Sequence, residues 1–101
     1  MKYRKKIEPV EAILWDGTNL DTVAQFTDED LRIVVDPHMP EYDYRVYKMM
    51  EEMGHTEPIH HLLVGQENIQ VFQNEYIIKD VFGNYTNMYK DNFELDYEAI
   101  E

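Results

Sequence analysis

"HHLLVGQENIQVFQNEYIIKDVFGNYTNMY", His60 to Tyr89, decides the fold class of this 101-residue chain. It contains four short runs rich in β-branched and aromatic residues, HHLLVG, NIQVFQ, YIIKDV and NYTNMY. They are separated by Gly65-Gln66-Glu67, Asn74-Glu75 and Phe82-Gly83-Asn84. Runs of this length between Gly and Asn read as strands, and tight turns between successive strands predict an antiparallel meander.

Towards the N-terminus the period changes. In "EYDYRVYKMMEEM", Glu41 to Met53, the residues Tyr42, Val46, Met49 and Met53 recur at 4-3-4 spacing, and Gly54 follows as a left-handed stop. Tyr44, Tyr47 and Met50 widen this apolar face, whereas Glu41, Asp43, Glu51 and Glu52 leave the rest acidic. Before Pro40, "DEDLRIVVDPHMP" reads as a polar loop and a strand over Leu31 to Val35. It stops at Asp36-Pro37, because a residue before proline is pushed out of the helical region.

Further upstream a strand is predicted over about Val10 to Trp15, with Pro9 at its start or on an edge. Asp16-Gly17 turns the chain into a short helix that Thr18 can cap, with Asp21 at N3 as a capping-box variant. Leu20, Val23, Ala24 and Phe26 form its apolar face. The tail "KDNFELDYEAIE" reads as a helical turn around Asp91 to Phe93 followed by an edge strand. The predicted fold is α+β: a single domain over residues 1–101, with an antiparallel β-meander sheet and two helices at about 18–27 and 41–53. No repeat, linker or low-complexity segment divides it.

Apolar residues make up 44% of the chain, too many for an intrinsically disordered one, and the length suits one modest core. Twenty-one acids face nine bases, a net charge of −12, and four of the bases (Lys2, Arg4, Lys5 and Lys6) fall in the first six residues. Between Asp16 and Glu57 eleven acids face only Arg32, Arg45 and Lys48. Such a surface repels nucleic acid and anionic membrane and attracts a basic partner or cations. Direct nucleic-acid binding and membrane association are therefore not expected. There is no cysteine, so disulfides and thiolate chemistry are excluded. Glu8, Pro9 and Glu11 interrupt any apolar signal-peptide core, which points to an intracellular protein.

"GHTEPIHH", Gly54 to His61, holds three of the four histidines. Neutral imidazole is a good zinc ligand, and structural zinc takes four protein ligands. His55, His60 and His61 can supply up to three, with His38 or a carboxylate such as Glu57 as the fourth. Adjacent strand residues point to opposite faces, so His60 and His61 share one ion only if Pro58 keeps this stretch in loop geometry. The spacing matches no standard zinc motif, and the alternative reading is a polar loop of solvated histidines. Hydrolysis by such a metal would need an open coordination position and a base such as Glu57. The chain has no serine and only four scattered glycines, which leaves no hydroxyl nucleophile of that type and no phosphate loop. A non-enzymatic protein is expected.

The two ends of the chain resemble a family of short proteins of tailed bacteriophages and prophages. The residues that match are Met1 to Lys6, Glu11 to Ile13, Trp15, Gly17, Tyr76 to Lys79, Val81, Gly83, Phe93, Glu94, Tyr97 and Glu98. The family's Gly-Asp turn is replaced by Asn74-Glu75 and its Pro-Cys-Lys-Pro segment by Asn87 to Lys90, and residues 27–66 have no counterpart. The resemblance implies a phage origin, a mostly β frame and the host bacterial cytoplasm as the site of action. It assigns no catalytic residue.

Phage context and charge together lead to an anti-defence protein of the anti-CRISPR type. Carboxylates that imitate a phosphate backbone can occupy the basic channel of a host nuclease such as Cas9. The candidate contact residues are Asp28, Glu29, Asp30, Glu41, Asp43, Glu51 and Glu52, with Tyr44 and Tyr47 as apolar anchors. A metallated histidine site would hold the middle segment in its binding shape. The alternatives are a phage assembly protein that self-associates and, third, a small metal-dependent enzyme. Monomer and small homo-oligomer both remain open.

Overall fold

The computed structural model describes residues 10–55 and 57–98; the Met1–Lys6 motif, its four bases and Pro9 lie outside the described residues. Strand β1, Glu11–Trp15, leads to helix α1, Leu20–Phe26, and strand β2, Leu31–Val34. A two-residue strand β3, Tyr42–Asp43, then runs directly into helix α2, Tyr44–Glu52. The remaining elements are β4 (His61–Val64), β5 (Ile69–Val71), β6 (Glu75–Lys79), β7 (Tyr85–Tyr89) and helix α3 (Lys90–Asp96).

The α+β class and the antiparallel pairing agree with the sequence reading. The strands form two sheets rather than one meander, ordered β1-β6-β7 and β3-β2-β4-β5. The hairpins β4-β5 and β6-β7 are those expected, with Val64 opposite Ile69 and Lys79 opposite Tyr85. The segment between β5 and β6 is the expected turn, closed by the Glu75 N–H donating to Phe72 O at 3.2 Å, but it carries the chain from one sheet into the other. Asn74 adopts a left-handed φ of 72° and its N–H donates to Trp15 O at 2.7 Å. The Gln73 amide donates to Asp16 O at 3.1 Å, so the chain is drawn across to β1 and leaves β5 on the edge of its own sheet.

One face of the larger sheet builds the core. Side chains alternate across a strand, so Leu31, Ile33, Leu62, Val64 and Val71 share a face and are all essentially sealed from solvent. Trp15, Leu20, Val23, Ala24, Tyr47 and Ile77 complete the same cluster, which therefore draws on both sheets and on α1 and α2.

Helix boundaries differ from expectation where local hydrogen bonds intervene. Thr18 does not cap α1: its N–H and hydroxyl both donate to Asp16 Oδ1, at 2.8 and 2.7 Å, an Asx turn that competes with capping. The N-cap is Asn19, whose amide instead donates to Leu14 O at 2.8 Å. Helix α2 starts at Tyr44 rather than near residue 41, because Tyr42 pairs with Ile33 in β3 and Asp43 accepts from Arg45 N at 2.9 Å as N-cap. The tail forms a third helix and, among the described residues, no edge strand. Aromatic stacking anchors it, Tyr76 on Phe93 at 3.9 Å between ring centroids and Phe93 on Tyr97 at 4.6 Å.

Candidate functional site

The predicted zinc ligands do not assemble as a group. His38 lies in the exposed turn after β2, where its N–H donates to Asp36 Oδ1 at 2.9 Å. His55 and Glu57 are exposed, and Glu57 contributes its backbone carbonyl to Tyr47. His60 and His61 do come together. His60 sits just before β4 in loop geometry, which frees its ring from strand alternation, and its Nδ1 lies 2.8 Å from Nδ1 of His61. At that separation the two nitrogens share a proton in an N–H···N bond, one ring donating and the other accepting. Phe72 packs on both rings, with centroids 5.8 and 5.0 Å away. Among the described residues no group of three or more His, Asp or Glu side chains converges as a metal site.

The predicted acidic contacts divide into two sets. Asp28, Glu29 and Asp30 close α1, with Asp28 and Glu29 both left-handed at φ of 54° and 61°. The Glu29 N–H donates to Ala24 O at 2.7 Å, satisfying a terminal helix carbonyl in the manner of a Schellman turn. Each of the three carboxylates meets a base: Asp28 with Lys79 at 4.0 Å, Glu29 with Arg45 at 3.2 Å and Asp30 with Arg32 at 3.4 Å. Glu51 likewise pairs with Lys48 at 3.1 Å. Glu41, Asp43 and Glu52 are exposed and have no ion pair among the described residues. Asp21, which was not among the candidates, is a further member. It accepts from Tyr44 Oη at 2.7 Å and lies 3.1 Å from Lys48 Nζ.

These contacts line an open groove of about 700 Å³ between α1 and α2, walled by Asp21, Gln25, Asp28, Glu29, Tyr44 and Lys48. The Tyr44 hydrogen bond, then Lys48, holds the Asp21 carboxyl below its usual range. Burial and the Asp21 carboxylate push Tyr44 up to about 12, so its hydroxyl stays a donor. The groove is thus an internally satisfied network, and its walls spend most of their charge on one another.

The anchors are corrected as well. Tyr47 is only 3% exposed, packed in the core with its hydroxyl donating to Glu57 O at 2.9 Å, so it is a structural residue and no contact surface. With Tyr47 buried and Tyr42 and Tyr44 half-buried, the rest of the predicted apolar stripe turns outward. Val46, Met49 and Met53 are 46%, 61% and 72% exposed. The tyrosine face prevails because aromatic rings bury large areas and because the Tyr44 and Tyr47 hydroxyls find acceptors there. The outward side of α2 therefore carries an apolar stripe, with Asp43 at its N-terminal end, Glu52 at its C-terminal end and the exposed Arg45, ion-paired with Glu29, one turn before Met49. No basic residue occupies the last turn to balance the negative end of the helix dipole.

Comparison of the chain with known protein families, with curated proteins and with solved structures returned no match.

Proposed function

We propose that the chain is a phage anti-defence protein, an inhibitor that binds a basic host nuclease of the Cas9 type through its acidic surface and obstructs DNA loading in the host bacterial cytoplasm. The observation that carries this reading is the net charge of −12 together with exposed carboxylates at Glu41, Asp43 and Glu52 that form no ion pair among the described residues.

A nuclease that handles a guide and a target strand holds them in a strongly positive channel. An acidic protein is drawn to such a channel over several ångströms, and the attraction raises the encounter rate and weakens with salt. Carboxylates already bound to Arg32, Arg45, Lys48 and Lys79 contribute least, since a partner must first displace an internal ion pair. Those without an ion pair among the described residues have none to give up. Phage origin rests on the resemblance of the two ends of the chain.

The test is binding of the chain to a guide-loaded Cas9-type nuclease over a range of NaCl concentrations, beside Glu41→Lys and Glu52→Lys. The reading expects affinity that falls with salt and falls further in each variant. Affinity indifferent to both would overturn it.

A further inference from the structure

Val46, Met49 and Met53 present an apolar face to solvent on a helix where any polar residue would serve. At about 100° per residue the three lie within roughly 60° of one another, a continuous stripe rather than scattered exposures. Valine is a poor choice for an exposed helical site on propensity alone, and methionine is the side chain that adapts its shape to a partner. Contiguous apolar surface rimmed by polar groups marks an interaction site.

The charges around the stripe state what covers it. Asp43 precedes it and Glu52 closes it, neither ion-paired among the described residues, and the negative end of α2 lies beyond. The one exposed cation beside the stripe among the described residues of α2, Arg45, is held by Glu29 at 3.2 Å, which leaves the rim net acidic. A second copy of this chain would bring another −12 against the same rim, and an anionic lipid surface would be repelled in the same way. The geometry points to a cationic amphipathic helix of a partner protein as the occupant. Its apolar ridge packs against Val46, Met49 and Met53, and Lys or Arg residues flank the ridge on either side. Side-chain ridges of one helix pack into the grooves of another, which suits a convex stripe of this spacing. The nine residue steps from Asp43 to Glu52 set the two acids roughly 14 Å apart along the axis, so the partner's cations stand about nine helical residues apart. This rests on the reading above that the partner is basic, and it names the surface and the shape of the contact.

A synthetic amphipathic helix of leucine and lysine is the probe, with its leucine and aspartate counterpart as control, titrated into the wild-type chain and into the double variant Met49→Ser, Met53→Ser. Both substitutions leave the charge unchanged, and far-UV circular dichroism checks the fold. The expected result is binding of the lysine helix alone, weakened about tenfold or more in the variant. Equal affinity for wild type and variant, no binding, or equal binding of the aspartate helix would overturn the proposal. So would a wild-type dimer in sedimentation that the variant abolishes, since that assigns the face to a second copy. If the lysine helix binds as expected but the nuclease does not, the nuclease reading fails and the docking surface stands. If the nuclease binds wild type and variant equally, the docking surface fails and the nuclease reading stands.

Discussion

The Nδ1 atoms of His60 and His61 lie 2.8 Å apart although the residues are consecutive, because one is still loop and the other is the first residue of β4. The His60 N–H donates to Val34 O at 2.8 Å, which fixes the entry of the loop onto the sheet, and His61 is buried at 6% exposure. Two neutral rings, or one charged ring, can keep the shared proton; two charged rings cannot.

This relationship sets a pH dependence. Burial, and then the charge of His60, hold the His61 imidazole below its usual range of about 6.5. A histidine depressed in the folded state binds its proton more readily when unfolded. Unfolding therefore becomes easier as pH falls through about 6.5, and the loss is complete below the folded value. Urea midpoints at about pH 7.5 and about pH 5.5 should fall with acidification in the wild type and fall less in His61→Gln. Wild-type midpoints equal at the two pH values would count against a His61 imidazole held neutral by burial and by His60. A second loss follows in more acid solution, where the Asp21 carboxyl, held below 3.8, is finally protonated and its bonds to Tyr44 and Lys48 weaken.

Tyr47 should matter for stability and leave partner binding alone. Removing its hydroxyl in Tyr47→Phe leaves the Glu57 carbonyl without its donor and should cost about 1 kcal/mol by urea unfolding. Tyr47→Ala, which opens a cavity beneath α2, should cost about 3–5 kcal/mol. Helix-probe affinity of the Phe variant should equal wild type; a marked loss would return Tyr47 to the contact surface.

Asp43 serves as a helix cap and as a rim charge, and two substitutions separate the roles. Asp43→Ala removes the acceptor for Arg45 N and should destabilise the fold by about 1 kcal/mol. Asp43→Asn keeps the cap, since asparagine caps as well as aspartate, and removes only the charge. The Asn variant should unfold like wild type but bind a basic partner more weakly and with a shallower salt dependence. If both variants bind alike and as tightly as wild type, Asp43 is a cap and nothing more.

Much of the frame was legible because its signals are local. Strand runs separated by Gly65-Gln66-Glu67 and Phe82-Gly83-Asn84 marked the two hairpins, and β-branched residues before Pro37 marked β2. The split into two sheets was not legible, since the turn before Glu75 reads the same whether it joins two strands of one sheet or crosses to another, and the acceptor that draws it across, Trp15 O, lies far away in sequence. Helix α2 carried two competing stripes, Val46-Met49-Met53 and Tyr44-Tyr47. The 4-3-4 spacing favoured the first and let the tyrosines widen it, whereas ring area and hydroxyl acceptors on Asp21 and Glu57 decided for the second. The ion pairs of Asp28 and Glu29 join residues far apart in sequence, Lys79 and Arg45, which no spacing rule reaches.

The measurement that bears most directly on the central claim is loading of target DNA onto a guide-loaded Cas9-type nuclease, followed by fluorescence anisotropy as the chain is added before or after the DNA. The account predicts that chain added first blocks loading, that chain added to a preformed nuclease–DNA complex does not, and that Glu41→Lys with Glu52→Lys relieves the block. DNA loading that proceeds equally with and without the chain would contradict it.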